Sequence, residues 1–134
     1  MLDRLSHVAI AVPAIEPALA PYRGALGVSI GPVRDQPDHG VRTAFLELPN
    51  TVIEFLEPLG EDSPIARFLV RNPAGGMHHL CYEVADLDAA IGRLTDHGAR
   101  ALGQPKAGAH GNRVVFLHPA DFSGVLIELE EAPS

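Results

Sequence analysis

Two stretches of this chain, far apart, carry the same pattern. Residues 79–91 laid under residues 7–19 place His79 beneath His7, Leu80 beneath Val8, Tyr82 beneath Ile10 and Val84 beneath Val12. Leu87, Ala90 and Ile91 continue it beneath Ile15, Ala18 and Leu19. Further on the match drifts by a residue or two, as loops of unequal length require: RTAFL at 42–46 answers RVVFL at 113–117, and VIEF at 52–55 answers LIEL at 126–129. A repeat of this extent constrains a fold more than any local propensity, because each copy must form the same supersecondary unit. Each half opens with a histidine on a strand and closes with a glutamate, Glu54 or Glu128, on another.

Strand alternation gives HVAIAVP, residues 7–13, two faces, one with His7, Ala9 and Ala11 and one with Val8, Ile10 and Val12. The larger residues should pack under a helix from about Ile15 to Leu26, where Ile15, Leu19, Tyr22 and Leu26 recur at helical spacing and Gly27 supplies a stop. Pro21 lies inside that helix and removes a backbone donor, so a kink or break is expected there. A short strand near Val28–Val33, a loop at QPDHG, and strands at Val41–Leu48 and Thr51–Glu57 joined by a Pro49-Asn50 turn should complete the first copy. Alternation puts Glu54 on the face opposite Ile53 and Phe55. SPIARFLVRN, residues 63–72, reads as a bridging helix with Ser63 as N-cap and Pro64 at its first position.

The second copy repeats the plan. His79, Cys81 and Glu83 share one strand face, and Leu80, Tyr82 and Val84 the other. Asp86 caps a helix over Leu87–His97 that Gly98 ends. A strand near Ala99–Gln104, the glycine-rich loop KAGAHGN and strands at Arg113–Leu117 and Val125–Glu130 follow.

At 134 residues the halves must share a single domain. It is expected to comprise a first module at about 5–58, the linker helix at about 63–72 and a second module at about 77–131. A four-stranded sheet with a helix on one face cannot hide its other face alone. The expected fold is therefore α+β, two tandem βαβββ modules forming a curved eight-stranded sheet with helices outside and a concave cleft within.

His7, Glu54, His79 and Glu128 fall on that inner face. Glu54 sits between Ile53 and Phe55, and Glu128 between Ile127 and Leu129, contexts in which an uncompensated carboxylate is costly. Neutral imidazole and carboxylate suit a first-row divalent ion such as Co²⁺, Mn²⁺, Zn²⁺ or Ni²⁺ without a thiolate; Co²⁺ is the ion expected. His78 should turn away from the metal, toward the helix side. His118 falls on the inner face with Val114 and Phe116 or at its rim, and Cys81 reads as a small buried hydrophobe.

The formal charge of −7, spread without long like-charge runs, argues against nucleic-acid binding, which needs a basic surface. No stretch approaches the roughly twenty apolar residues of a membrane span. One cysteine excludes an intrachain disulfide, and no secretory-type apolar run opens the chain, so a cytoplasmic protein is expected.

HVAIAVP, DHGV, EPLGEDSPIARFL at 57–69, GGMHHLCYEV at 75–84, HGNRVVFLHP at 110–119 and GVLIELEE at 124–131 together resemble the methylmalonyl-CoA epimerases of the vicinal oxygen chelate superfamily. That resemblance implies metal binding by His7, His79 and Glu128, with Glu54 where relatives carry glutamine or glutamate. It implies an acyl-CoA substrate whose malonyl oxygens the metal chelates. One base would remove the α-proton, and another would return a proton to the opposite face of a stabilised enolate. Some relatives have a glutamate where Thr43 stands, and threonine is no general base at neutral pH. Glu128 is then one expected catalytic residue and Glu47, on the same strand face as Thr43, a substitute for the other. Lys106, His110 and Arg113 are candidates for holding the coenzyme, with a plain connecting loop as the alternative. Two rival readings stay open, a glyoxalase I-type lactoylglutathione lyase and a metal-free small-molecule binding protein. A homodimer is expected by analogy alone.

Overall fold

The computed structural model describes residues 1–133. Its elements run β1 (Leu2–Ala11), α1 (Ile15–Gly24), β2 (Arg34–Gln36), β3 (Val41–Glu47), β4 (Val52–Pro58), α2 (Ala66–Arg71), β5 (Gly76–Val84), α3 (Leu87–Asp96), β6 (Lys106–Ala107), β7 (Arg113–Leu117) and β8 (Ile127–Glu131). The α+β class and the doubled βαβββ order are both present, α2 lying between the copies. No helix among the described residues is long and apolar enough to cross a membrane.

The chain divides into two compact units, Val8–His78 and Met1–His7 with the chain from His79 onward. In the Val8–His78 unit, β2, β3 and β4 pair antiparallel in that order. The Val12 N–H donates to Leu56 O at 2.8 Å where the chain leaves β1. In the other unit β5 pairs parallel with β8, β8 antiparallel with β7, and β7 antiparallel with β6. Both copies thus pair their second strand with their third and their third with their fourth.

Each unit builds its core from one strand face and one helix. Val12, Ile15, Leu19, Ala44, Leu46 and Phe55 form the first, with Ile10, Tyr22 and Ile53 against it. Val84, Leu87, Ala90, Val115, Leu117 and Leu129 form the second, with Tyr82, Ile91 and Leu94 against it. These are the apolar faces assigned by alternation, and burying them is the main favourable term in folding.

A second feature of the repeat concerns helix ends. The first N–H of α1, on Ile15, donates to Glu57 Oε1 at 2.8 Å, and the first N–H of α3, on Leu87, donates to Glu131 Oε2 at 2.8 Å. Both carboxylates come from the last strand of their own copy and meet the positive end of the helix. α3 has in addition its own cap, Asp86 Oδ1 accepting from the Ala89 N–H at 3.0 Å. Asp86→Ala is expected to cost about 1 kcal/mol in urea unfolding; an unchanged midpoint would show that Glu131 alone satisfies this end.

Several expectations fail for reasons of tertiary context. α1 continues through Pro21 rather than breaking there, and ends at Gly24 instead of Leu26. The donor that Pro21 lacks would have met the Pro17 carbonyl, four residues back, while its own carbonyl accepts from both Ala25 and Leu26 at 2.9 and 3.1 Å. The strand expected at Val28–Val33 is displaced to Arg34–Gln36. Val28, Ile30 and Val33 cover the first core, but regular pairing with β3 spans only Arg34↔Thr43 to Gln36↔Val41. The second copy shifts likewise: Ala101 makes only an isolated bridge to Leu117, and β6 forms at Lys106–Ala107, inside the stretch expected to be a loop. β8 begins at Ile127, two residues later than expected. Ser63 caps nothing, because α2 starts at Ala66 after a turn in which the Ala66 N–H bonds Ser63 O at 3.1 Å.

GGMHHL enters β5 through a close approach. Gly75 has φ 90°, and a Cβ there would lie 2.6 Å from Ala11 O, so only glycine fits both the conformation and the space. His78 then packs edge-on against Phe68 of α2, ring centroids 5.2 Å apart. That separates it from His79.

Candidate metal centre

β1 carries His7, β5 His79 and β8 Glu128. Cys81 is the register partner of Glu128 across β5 and β8, and Phe116 is its partner across β8 and β7. The odd residues of β5 and the even residues of β7 and β8 therefore share a face, opposite the one that packs under α3. Local geometry of the strands makes one side of this unit apolar core and the other a cluster of polar groups.

Glu128 Oε1 lies 3.2 Å from His7 Nε2 and 3.3 Å from His79 Nε2. The two imidazole centroids are 5.5 Å apart and nearly perpendicular, and Phe116 walls His79 edge-on at 5.2 Å. All three polar residues are buried, with 4, 6 and 9% of their surface exposed for His7, His79 and Glu128. Burial pushes the Glu128 carboxyl up, but hydrogen bonding to His7 and His79 outweighs it and brings the group down to about 2. An ionised carboxylate is thus held out of water by two imidazoles.

Ligand atoms about 2.1 Å from one ion stand roughly 3 Å apart. The 3.2 and 3.3 Å separations match two edges of such a polyhedron, and nitrogen with carboxylate oxygen is the donor set of a borderline or hard first-row divalent ion. The residues therefore fit a metal. Cys81 Sγ also lies within 4.8 Å of donor atoms of His7 and Glu128. Burial and then the Glu128 and Glu130 charges push its thiol up well beyond the usual range. Without a metal the thiol stays protonated, which agrees with its reading as a small buried hydrophobe.

Behind His7 lies a layer that sequence reasoning missed. Ser6 Oγ is 3.2 Å from His7 Nδ1 and donates to Glu130 Oε1 at 3.2 Å. Glu130 Oε2 is 3.4 Å from His110 Nδ1, and the His110 ring stands edge-on to His7 at 5.9 Å. The His110 contact holds the Glu130 carboxyl below the usual range against its burial. Alternation from Glu128 could have found Glu130. Ser6, next to His7 in a strand, should face the other way, so no pattern announced it.

The other expected site residues lie on β3, β4, β6 and the chain after β7. Glu54, 5% exposed, belongs to the Val8–His78 unit, where it is the register partner of Phe45. Glu47 is exposed at the end of β3. Thr43, fully buried on the same strand, has a hydroxyl with no hydrogen-bond partner among the described residues. Lys106 is exposed on β6. His118 Nδ1 accepts from the Ala120 N–H at 3.1 Å and caps a short 3₁₀ turn.

Arg113 is turned to the helix side. Its guanidinium forks onto Asp88 at 2.9 and 3.1 Å and reaches Glu131 at 3.6 Å. Arg42, its mate in the repeat, bonds Asp35 and Glu57 in the same manner at 2.9 and 3.1 Å. Each arginine thus steadies the carboxylate that caps its own copy's helix, and the structure gives Arg113 this architectural place rather than one beside His7 and His79.

The family described as the glyoxalase/bleomycin resistance protein/dioxygenase superfamily matches residues 6–116. The chain is 61% identical to the ethylmalonyl-CoA/methylmalonyl-CoA epimerase of Cereibacter sphaeroides over 98% of its own length and 99% of that protein's. It is 52% identical to the human mitochondrial methylmalonyl-CoA epimerase, covering 98% of this chain and 75% of that one. A variant of Streptomyces coelicolor methylmalonyl-CoA epimerase in complex with 2-nitronate-propionyl-CoA superimposes with a TM-score of 0.88 at 33% identity, covering all of both chains.

Proposed function

Given that the chain belongs to the glyoxalase/bleomycin resistance protein/dioxygenase superfamily, and within it to the methylmalonyl-CoA epimerases, we propose that it interconverts the (R) and (S) forms of methylmalonyl-CoA by 1,1-proton transfer. The lyase and metal-free binding readings are not favoured, since these relatives are epimerases over nearly the whole chain. The observation that carries the chemistry is the buried, ionised Glu128 between two imidazole Nε2 atoms.

In this reading His7, His79 and Glu128 hold a divalent ion, which supplies positive charge where negative charge develops as the α-proton leaves. Glu128 suits a ligand better than a base, because a carboxyl drawn down to about 2 has little affinity for a proton near neutrality. Glu47 is proposed as one proton carrier. Lys106 is proposed to meet the coenzyme phosphates, its exposure on β6 leaving an ammonium available to an anion.

Incubation with a single methylmalonyl-CoA epimer in D₂O tests this directly. Metal-loaded protein is expected to exchange the α-proton and chelator to stop it, with activity returning on addition of Co²⁺. No exchange in any metal-loaded form would sink the epimerase reading.

A further inference from the structure

We propose that Ser6 and Glu130 are positioning residues that fix the tautomer of His7 and so direct its Nε2 lone pair at the metal. The inference rests on the reading of His7 as a ligand and adds to it the groups that make it one. A serine hydroxyl has one hydrogen to give. Here it is given to Glu130 Oε1, 3.2 Å away. Toward His7 Nδ1, also at 3.2 Å, Ser6 Oγ therefore offers only a lone pair. Nδ1 must therefore carry a proton, whether or not Nε2, 3.2 Å from Glu128 Oε1, also bonds that carboxylate through a proton of its own; when that second proton is lost, Nε2 keeps the lone pair that ligation needs.

A carboxylate acting through a hydroxyl also makes the imidazole more basic than an isolated ring, the role that outer groups commonly play at metal sites. Strand β8 then supplies both a ligand, Glu128, and two residues on, through Ser6, the orienting group of another. The second oxygen of Glu130 meets His110, so the relay ends in the glycine-rich stretch after β6. The repeat itself sets these residues apart. Ser6 corresponds to His78 and Glu130 to Leu56, so neither position follows from duplication, and the relay serves His7 alone.

The test uses the whole protein and its Ser6→Ala, Ser6→Thr and Glu130→Leu variants, each checked for folding by circular dichroism. ¹⁵N shifts of the His7 ring are read in the metal-free and Zn²⁺-loaded states, and Co²⁺ affinity by calorimetric titration. The wild-type ring is expected to be Nδ1-protonated in both states. Ser6→Ala and Glu130→Leu are expected to lose that preference and to weaken Co²⁺ binding roughly 10- to 100-fold, while Ser6→Thr, which keeps the hydroxyl, restores both. A bare Nδ1 in the metal-free wild type, or a folded Ser6→Ala or Glu130→Leu protein that binds Co²⁺ as tightly as wild type, would overturn the relay. If the wild type binds no Co²⁺, it is the metal reading that fails, and the metal-free tautomer still decides whether the relay holds.

Discussion

Glu128→Gln is expected to remove the metal and, with it, turnover by a factor on the order of 10³ or more. Glutamine keeps the shape and one oxygen but not the charge, and the charge is what the site is built around. Both imidazoles converge on the same oxygen, Oε1, at 3.2 and 3.3 Å. With a neutral amide there, a cation placed among His7, His79 and the amide would be desolvated without an anion to compensate. Metal content by elemental analysis and α-proton exchange in D₂O should fall together. Full metal occupancy with undiminished exchange would eliminate Glu128 as a ligand. Full occupancy with exchange lost would make it a base instead.

Phe55→Ala is expected to cost about 3–5 kcal/mol in urea unfolding, a large part of the roughly 5–15 kcal/mol that holds a domain of this kind together. Phe55 is 1% exposed and meets the Tyr22 ring edge-on at 4.9 Å, among Ile15, Leu19, Ala44 and Leu46. Those partners come from α1 and β3 and Phe55 itself from β4, so the cavity would open where three elements meet and cannot close by the shift of any one. The ring also fixes which face of β4 turns inward, and Glu54 takes its orientation from that choice. A loss below about 1 kcal/mol would mean that this core repacks freely, contrary to its density of contacts.

Much of this was readable in the residues because it depends on backbone periods. Alternation separated Leu80, Tyr82 and Val84 from His79 and Cys81, and helical spacing put Ile15 and Leu19, like Leu87 and Ile91, on buried stripes. Asp86 announced a helix start because an N-cap acts within three residues of itself. The epimerase reading followed from motifs spread along the whole chain, and the curated relatives of high identity support it.

The misreadings share a cause. Val28–Val33 looked like a strand because its side chains are apolar, yet whether such residues join a ladder or merely cover a core depends on the strand they meet. Pro21 lies inside α1, and the helix runs past it to Gly24, so the missing donor alone does not end the element. Ser63 and Pro64 spelled a cap and first turn, but the chain turned once more before α2.

By itself, then, the sequence determined the duplicated plan, the apolar faces, and His7, Glu54, His79 and Glu128 as the groups worth watching, since period and repeat are properties of a chain read along its length. Only the tertiary structure decided that Glu128 stands between the two imidazoles, that Arg113 steadies a helix cap, and that Ser6 joins His7 to Glu130. Those facts are polar contacts between residues as far as 124 positions apart. Their existence depends on register and on side-chain direction within about an ångström, which no one-dimensional pattern carries.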